Sequence, residues 1–479
     1  MIPIEEVADL EAAYDLVVVG AGPAGLACAA LASQGGAKTL LVDENAAPGG
    51  QIYRAISATP LKERRDVLGA EYWMGETLAS SFAESGSAYL PGATVWQVSP
   101  ELEIGVSKAG HARLLTARRV VMATGALERP FPIPGWTLPG VMTAGAAQIL
   151  LKTAGATATG RVVLAGSGPL LWLIAAQSLA AGRTFSVILD TTPKANWTAA
   201  LPKLPAFLTS PYLAKGLKLL ARVRREIEII SGVTSLAAEG DGRLDRVRYV
   251  ANGEARTIEA DHLLLHQGVT PNVNMASAAG CELVWDDVQL CWKPKTDEWG
   301  RTSVEGVSVA GDGAGIAGAE AAALRGRIAA LDALRALGRL SETGMAERAR
   351  PVRKALARYD RGRGFLDALY RPAKSFRTCE GDTIACRCEE VTGAQIRTAV
   401  SSLNVAGPNQ LKSFLRCGMG PCQGRLCGLT VAETIADERG VSPAEIGYYR
   451  LRSPVKPITL AEIATLDQTE DDLKAVVRG

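Results

Sequence analysis

Six of the nine cysteines crowd between Cys379 and Cys427. Cys386-Arg387-Cys388 is followed, 33 residues later, by Cys422-Gln-Gly-Arg-Leu-Cys427. Four thiolates in two pairs fit a metal or a cluster. Zinc accepts four thiolates, and so does [2Fe–2S], whose potential is tuned by nearby N–H groups. The glycines of Arg416–Gly428 would bring such groups close to sulfur. Cys379 and Cys417 are set aside as bystanders. Met1–Leu10 is acidic, with no basic or apolar leader, so no secretion signal is expected. Without one, clustered cysteines favour metal ligation over disulfides. The chain has three histidines, too few for a multi-histidine metal site.

Gly20-Ala21-Gly22-Pro23-Ala24-Gly25 is the second constellation. It follows an apolar strand and opens a helix, the context a dinucleotide fingerprint requires. Gly20 permits the tight turn, Gly22 lets a pyrophosphate approach, and Gly25 lets helix and strand pack. The helix N-terminus offers free N–H groups to phosphate. Asp43, with Glu44 beside it, ends the next strand and is placed to accept from a ribose diol. Gly166-Ser-Gly168-Pro-Leu-Leu171 repeats the pattern with its third glycine replaced by Leu171. Asp190 ends the strand that follows. NAD(P)H, a structural ADP or ATP, or a purely structural fold remain open there.

No base constellation suggests a catalytic residue. His262 and His266 flank an apolar strand and read as core or edge histidines. His111 falls in a turn. Arg129, beside Glu128, would pair with a phosphate or carboxylate, or cap its loop.

These residues need a scaffold. Tyr14–Gly20, Pro23–Gln34 and Lys38–Asp43 form a βαβ unit, and Arg161–Asp190 forms another. Two such units imply two doubly wound α/β domains. Antiparallel strands are expected over Thr94–Val121 and Glu228–His266. A buried strand is expected at Val307–Ala310 and a helix over Gly315–Leu337. Arg339–Arg377 carries eleven basic against four acidic residues and reads as a solvated connector rather than a clamp. The uncharged runs Leu16–Ala37 and Val162–Gly182 are long enough to span a membrane, but each has a glycine turn in its middle, so no transmembrane segment is expected. With 52 basic and 50 acidic side chains, a strongly basic nucleic-acid binder is excluded.

Val120–Gly125 (VVMATG) and Thr302–Asp312 (TSVEGVSVAGD) add a resemblance. With the first glycine motif they resemble the two-dinucleotide-fold flavoproteins related to glutathione reductase. The resemblance implies FAD in the first fold, held also by Gly49-Gly50-Gln51, Thr124, Gly125, Gly311 and Asp312. It implies a discontinuous FAD domain, 1–145 and 290–338, with the second fold, 146–289, inserted. No redox cysteine pair follows Gly50 or lies in the second fold, so a dithiol mechanism is not expected. The segment Cys386–Gly428 resembles the bacterioferritin-associated-ferredoxin-like [2Fe–2S] domain fused to flavoprotein dehydrogenases. That resemblance makes Cys386, Cys388, Cys422 and Cys427 the ligands. After a basic linker, 339–378, the small α-rich [2Fe–2S] domain would occupy 379–479.

Ala123–Gln148 and Val307–Leu334, together with the cysteine domain, resemble one group over nearly the whole chain. These are the α subunits of dye-linked proline dehydrogenases, opine oxidases, D-hydroxyproline dehydrogenase and hydrogen cyanide synthase. The resemblance implies an electron-transferring subunit of a heteromeric enzyme that oxidises a secondary amine or imino acid. An amino-acid-oxidase-like subunit with its own FAD would oxidise the substrate. FMN at the interface, a quinone acceptor and a small third subunit belong to the same expectation. So does a cytoplasmic location, peripheral to the inner membrane. The alternatives are a self-sufficient NAD(P)H-dependent reductase and a scaffold with a structural nucleotide.

Overall fold

The computed structural model describes residues 1–467. Ala13–Val19 lies inside an eight-stranded sheet. It pairs in parallel with Thr39–Asp43 on one side and His111–Met122 on the other. Leu16, Val17 and Val18 are fully buried, as a strand covered on both faces requires. Ala88–Pro91 and then Ile2–Pro3 extend the sheet beyond Thr39–Asp43. Glu103–Lys108 and Thr94–Val98 extend it antiparallel beyond His111–Met122. Val307–Val309 returns, after the whole second fold, to pair in parallel with the end of His111–Met122. The first sheet is therefore built from two separate stretches of the chain.

The helix Pro23–Gln34 starts with proline in its first turn, where no N–H is needed, and stops at Gly35. A second helix, Ala319–Ala336, packs across it. The crossing is very close. A Cβ on Gly326 would lie 2.1 Å from the carbonyl oxygen of Ala24.

The second fold has five parallel strands, ordered Ile229–Ser231, Val187–Asp190, Val162–Ser167, His262–Gln267 and Val141–Thr143. The expected junction at 145/146 therefore falls inside the helix Ala144–Ala154, and Val141–Thr143 already belongs to the second sheet. An antiparallel pair, Ala126–Glu128 with Val269–Pro271, joins the segments leaving the two sheets.

The basic segment contains a 28-residue helix, Glu342–Leu369, capped by Ser341. One face is apolar. Met345 and Ala349 pack with Leu331 of the first domain, while Phe365 stacks on Phe207 of the second at 4.4 Å between centroids. The helix thus clamps the two folds, and the reading as a solvated connector captured only its charged face. The C-terminal domain packs Gly393–Leu403, Pro408–Leu415 and Gly428–Arg439 around Ile396, Leu411, Val431 and Ile435. Thr392 and Gln395 form a capping box at its first helix. The following segment returns to the first domain, where the Val455 N–H donates to the Trp96 carbonyl at 2.9 Å. Residues 468–479 of the expected cluster domain lie outside the described residues. Among the described residues, no helix is long and apolar enough to cross a membrane.

Gly326→Ala decides how tight the helix crossing is. On an open helix surface the change would stabilise by roughly 0.5–1 kcal/mol. Here overpacking should reverse the sign and cost about 1–3 kcal/mol, read as a lower melting temperature. A higher one would mean the crossing is loose.

Candidate functional site

The first glycine turn is built by close backbone approach. Gly20 has φ +106°, and a Cβ there would lie 2.5 Å from the Ala123 carbonyl oxygen. A Cβ on Gly25 would meet the Gly20 carbonyl oxygen at 1.8 Å. The Gly49 N–H donates to Ala21 at 2.8 Å, and a Cβ on Gly50 would lie 2.6 Å from Gly22 Cα. Gly311, at φ +76°, leaves space for the Ala24 side chain. The Thr124 hydroxyl donates to the Asn272 carbonyl at 3.2 Å, and the Asn272 N–H donates to Gly125 at 3.0 Å. Asp312 accepts from the N–H groups of Ala317 and Gly318 at 2.9 and 3.1 Å, at the entry of the helix Ala319–Ala336. The structure thus gathers Gly20, Gly22, Pro23, Ala24, Gly25, Gly50, Thr124, Gly125, Gly311 and Asp312 around one turn.

Asp43 is buried beneath that turn. It accepts from the Ala21 N–H and, at 2.7 Å, from the Asn45 backbone and side-chain amides. Burial raises its carboxyl pKa despite these bonds. Asp43 therefore braces the turn as well as facing it. Burial alone would also raise Glu44, but the Lys456 ammonium bonded to it brings it below its ordinary value.

Lys152 had no signal in the sequence. It reads there as a cation in the last turn of a helix. The structure buries it completely at the junction of the two folds. Its ammonium donates to the Gln51 carbonyl at 3.1 Å and the Gln148 side chain at 2.9 Å, with no carboxylate bonded to it. Burial, and then the charge of Arg54, lowers its pKa from 10.5 to about 7. Gln51 is thereby pinned at the edge of the first site.

In the second fold, Gly166 and Gly168 keep positive φ, and Leu171 is fully buried where a third glycine would stand. Asp190 accepts from the Thr192 N–H at 2.9 Å. His266 is a core residue, with Nδ1 2.6 Å from Glu128 Oε1. Glu128 also accepts from the Gly145 N–H. His262 is half-buried and leaves Nδ1 without a hydrogen-bond partner. His111 opens a strand after the turn at Ala109-Gly110.

Arg129 both caps a loop and faces a carboxylate. It is buried and donates to the carbonyls of Leu290 and Gln289 at 2.9 and 2.6 Å. Burial lowers its pKa to about 10. Glu433, 3.8 Å away and also buried, bonds Arg377 as well. Glu433 lies on the helix that starts directly after Cys427. Nearby, Asn274 donates to the Gln423 carbonyl at 3.0 Å, one residue from Cys422. The thiol-rich domain is thus fixed to the segments that follow the two strands of the antiparallel pair joining the folds.

Of the four expected ligands, Cys388 is exposed and Cys422 half-buried, while Cys386 and Cys427 are buried close together. Cys417 joins them. The sulfurs of Cys386, Cys417 and Cys427 all lie within 4.8 Å of one another. Bonds from the other two thiols, then the N–H groups of Gly418 and Glu389, lower the Cys386 pKa to about 2. A Cβ on Gly420 would lie 2.3 Å from Cys388 Cβ, and one on Gly418 would strike the Tyr449 ring. Converging thiols with backbone donors at sulfur suit a four-thiolate metal group. Cys379 packs apart, beneath Gly393.

Residues 14–329 match the pyridine nucleotide-disulphide oxidoreductase family, and residues 384–466 match the sarcosine oxidase A3 domain. The opine oxidase A subunit of Rhizobium meliloti is 51% identical over 482 residues, covering 99% of this chain and 91% of that one. The chain belongs to the family of opine oxidase A subunits. Hydrogen cyanide synthase subunit HcnB of Pseudomonas protegens is a more distant relative, 31% identical over 94% of this chain and 98% of that one. The solved L-proline dehydrogenase from P. horikoshii shares the fold, with a TM-score of 0.69 at 20% identity, over 94% of this chain and 79% of that one.

Two measurements follow. Glu433→Gln leaves two arginines facing each other and should cost about 3–5 kcal/mol. Arg129→Met leaves Glu433 paired with Arg377 and should cost less. Equal losses in thermal melts would deny the shared carboxylate its role. For Lys152, both folded and unfolded states hold the proton below about pH 7, with the folded state at full penalty. Between 7 and 10.5 the folded state has released a proton that the unfolded state keeps, so this group adds stability as pH rises. The melting temperature of the natural chain should therefore climb relative to Lys152→Met across that window. Parallel curves would refute the buried ammonium.

Proposed function

We propose that this chain is the electron-transferring flavin and iron–sulfur subunit of a hetero-oligomeric dehydrogenase or oxidase. Its substrate is a secondary amine or imino acid of the opine, hydroxyproline or proline type. One observation carries the reading. A converging set of thiols is bolted, through Arg129, Glu433 and Asn274, to the segments that follow the antiparallel pair joining the two folds. The similarity to opine oxidase A subunits, 51% over the chain, supplies the reaction class.

The residues fit FAD in the first fold. Gly20–Gly25 would take the pyrophosphate on a helix N-terminus. Asp43 and Glu44 would lie toward the ribose, and Gly50, Gln51, Thr124, Gly125, Gly311 and Asp312 would line the remainder. Cys386, Cys388, Cys422 and Cys427 would hold a [2Fe–2S] cluster. When bound, a flavin exchanges electrons in pairs or singly and a [2Fe–2S] cluster singly, which lets a two-electron oxidation feed a one-electron carrier. The chain's own residues position and insulate. Arg129 and Glu433 fix the thiol domain, and Lys152 pins Gln51. Leu171 fills the third-glycine position of the second fold, which favours a structural role there over NAD(P)H.

Substrate oxidation is assigned to an amino-acid-oxidase-like partner with its own FAD. FMN at the interface, a quinone acceptor and a small third subunit complete the proposed assembly.

The test is expression with and without the neighbouring gene products. The chain alone should bind FAD and iron and fail to reduce a dye with octopine, nopaline, hydroxyproline or proline. Turnover should appear with the partner. Full activity of the isolated chain would overturn the reading, and rapid flavin bleaching by NAD(P)H would replace it with a reductase.

A further inference from the structure

A four-thiolate group needs four cysteines, and this domain holds six, five of them besides Cys379, which packs apart. Cys417, Cys422 and Cys427 recur at intervals of five along one loop. The loop is held in an unusual shape. Arg416 and Gln423 have φ of +56° and +51°, and Gly418 and Gly424 are also left-handed. The Tyr449 hydroxyl donates to the Cys417 carbonyl at 2.9 Å. Cys417 is fully buried, and its sulfur lies within 4.8 Å of those of both Cys386 and Cys427. Two thiolates on one tetrahedral metal sit about 3.8 Å apart when metal–sulfur bonds are about 2.3 Å. Cys417 therefore stands among the buried thiols at a spacing near that of co-ligands. Cys388 is exposed and Cys422 half-buried, so these two thiols are more open to oxidation than the buried ones.

Resting on the iron–sulfur reading, we propose that Cys417 is a reserve ligand that replaces Cys422 at the cluster. Cys386 and Cys427 are the buried anchors common to both ligand sets. The exchange is a substitution. The iron–sulfur bond to Cys422 breaks, the Cys417 thiol passes its proton to the departing Cys422 thiolate, and the Cys417 sulfur bonds the same iron. No electron is gained or lost by the cluster. An oxidised Cys422 side chain would thus leave the cluster in place.

The experiment uses the full chain. Iron and acid-labile sulfide are counted, and the electron paramagnetic resonance spectrum is recorded after dithionite reduction. Cys417→Ala alone should keep its iron and its spectrum. Cys422→Ala should keep about half its iron or more, with a shifted spectrum. Cys417→Ala/Cys422→Ala should keep less than about a tenth. Equal losses in the single and double Cys422 variants overturn the proposal, as does a changed spectrum in Cys417→Ala. A second measurement does not depend on the Cys422 variants folding. The natural chain and Cys417→Ala are titrated with hydrogen peroxide, and dimedone-trapped Cys422 is measured by mass spectrometry. Iron should outlast Cys422 oxidation in the natural chain and fall with it in Cys417→Ala. Identical iron loss in both refutes the reserve role. A natural chain that carries zinc and no iron would instead sink the iron–sulfur reading, and this inference with it.

Discussion

The buried contact among Arg129, Glu433 and Arg377 is the constraint on which the rest of the site depends. Arg129 and Glu433 have left water, Arg377 is partly exposed, and the two guanidinium groups share one carboxylate. Such a group adds little net stability, because desolvation consumes most of the Coulombic gain. It is unforgiving about geometry, since no member can move without stranding another. Arg129 follows the turn at Gly125 by four residues, and Glu433 sits in the helix that begins after Cys427. The triad therefore converts two separately folded units into one site with a fixed separation. Stacking of Phe365 on Phe207 and the edge contact of Phe131 with Phe376 supply the apolar burial that the charges do not.

A second constraint is steric. Around the first dinucleotide turn, four backbone segments approach to distances that no side chain would tolerate. Gly20 abuts Ala123, Gly25 abuts Gly20, Gly50 abuts Gly22, and Gly326 abuts Ala24. The last pair lies about 300 residues apart in sequence, which ties the late stretch of the first fold to its beginning. Interiors packed to this density transmit displacement rather than absorbing it. The long basic helix then holds the inserted fold against the assembled turn.

The sequence made the local features legible. Both βαβ units and the buried strand at Val307–Val309 follow from apolar runs and glycine placement. What it hid depends on distant partners. Lys152 looks like any helix-terminal lysine until two folds close over it. Arg129 and Glu433 are 304 positions apart, and neither has a pattern around it. The basic helix hid its apolar face because Met345, Ala349, Phe365 and Leu369 are thinly spaced among charges. Cys417 stands outside the two cysteine pairs, yet its loop turns it inward beside Cys386 and Cys427.

The segment after the thiol domain carries a consequence for biogenesis. Val455 bonds Trp96, Lys456 pairs with Glu44 beside the ribose end of the first turn, and Thr465 accepts from the Ala112 N–H. This late stretch, emerging from the ribosome long after the first domain, thus completes that domain. Synthesis runs from the N-terminus, and domains ordinarily fold as they emerge. Here the earliest domain gains these three contacts only once the late residues have emerged, so its last edges close after the thiol domain has been made.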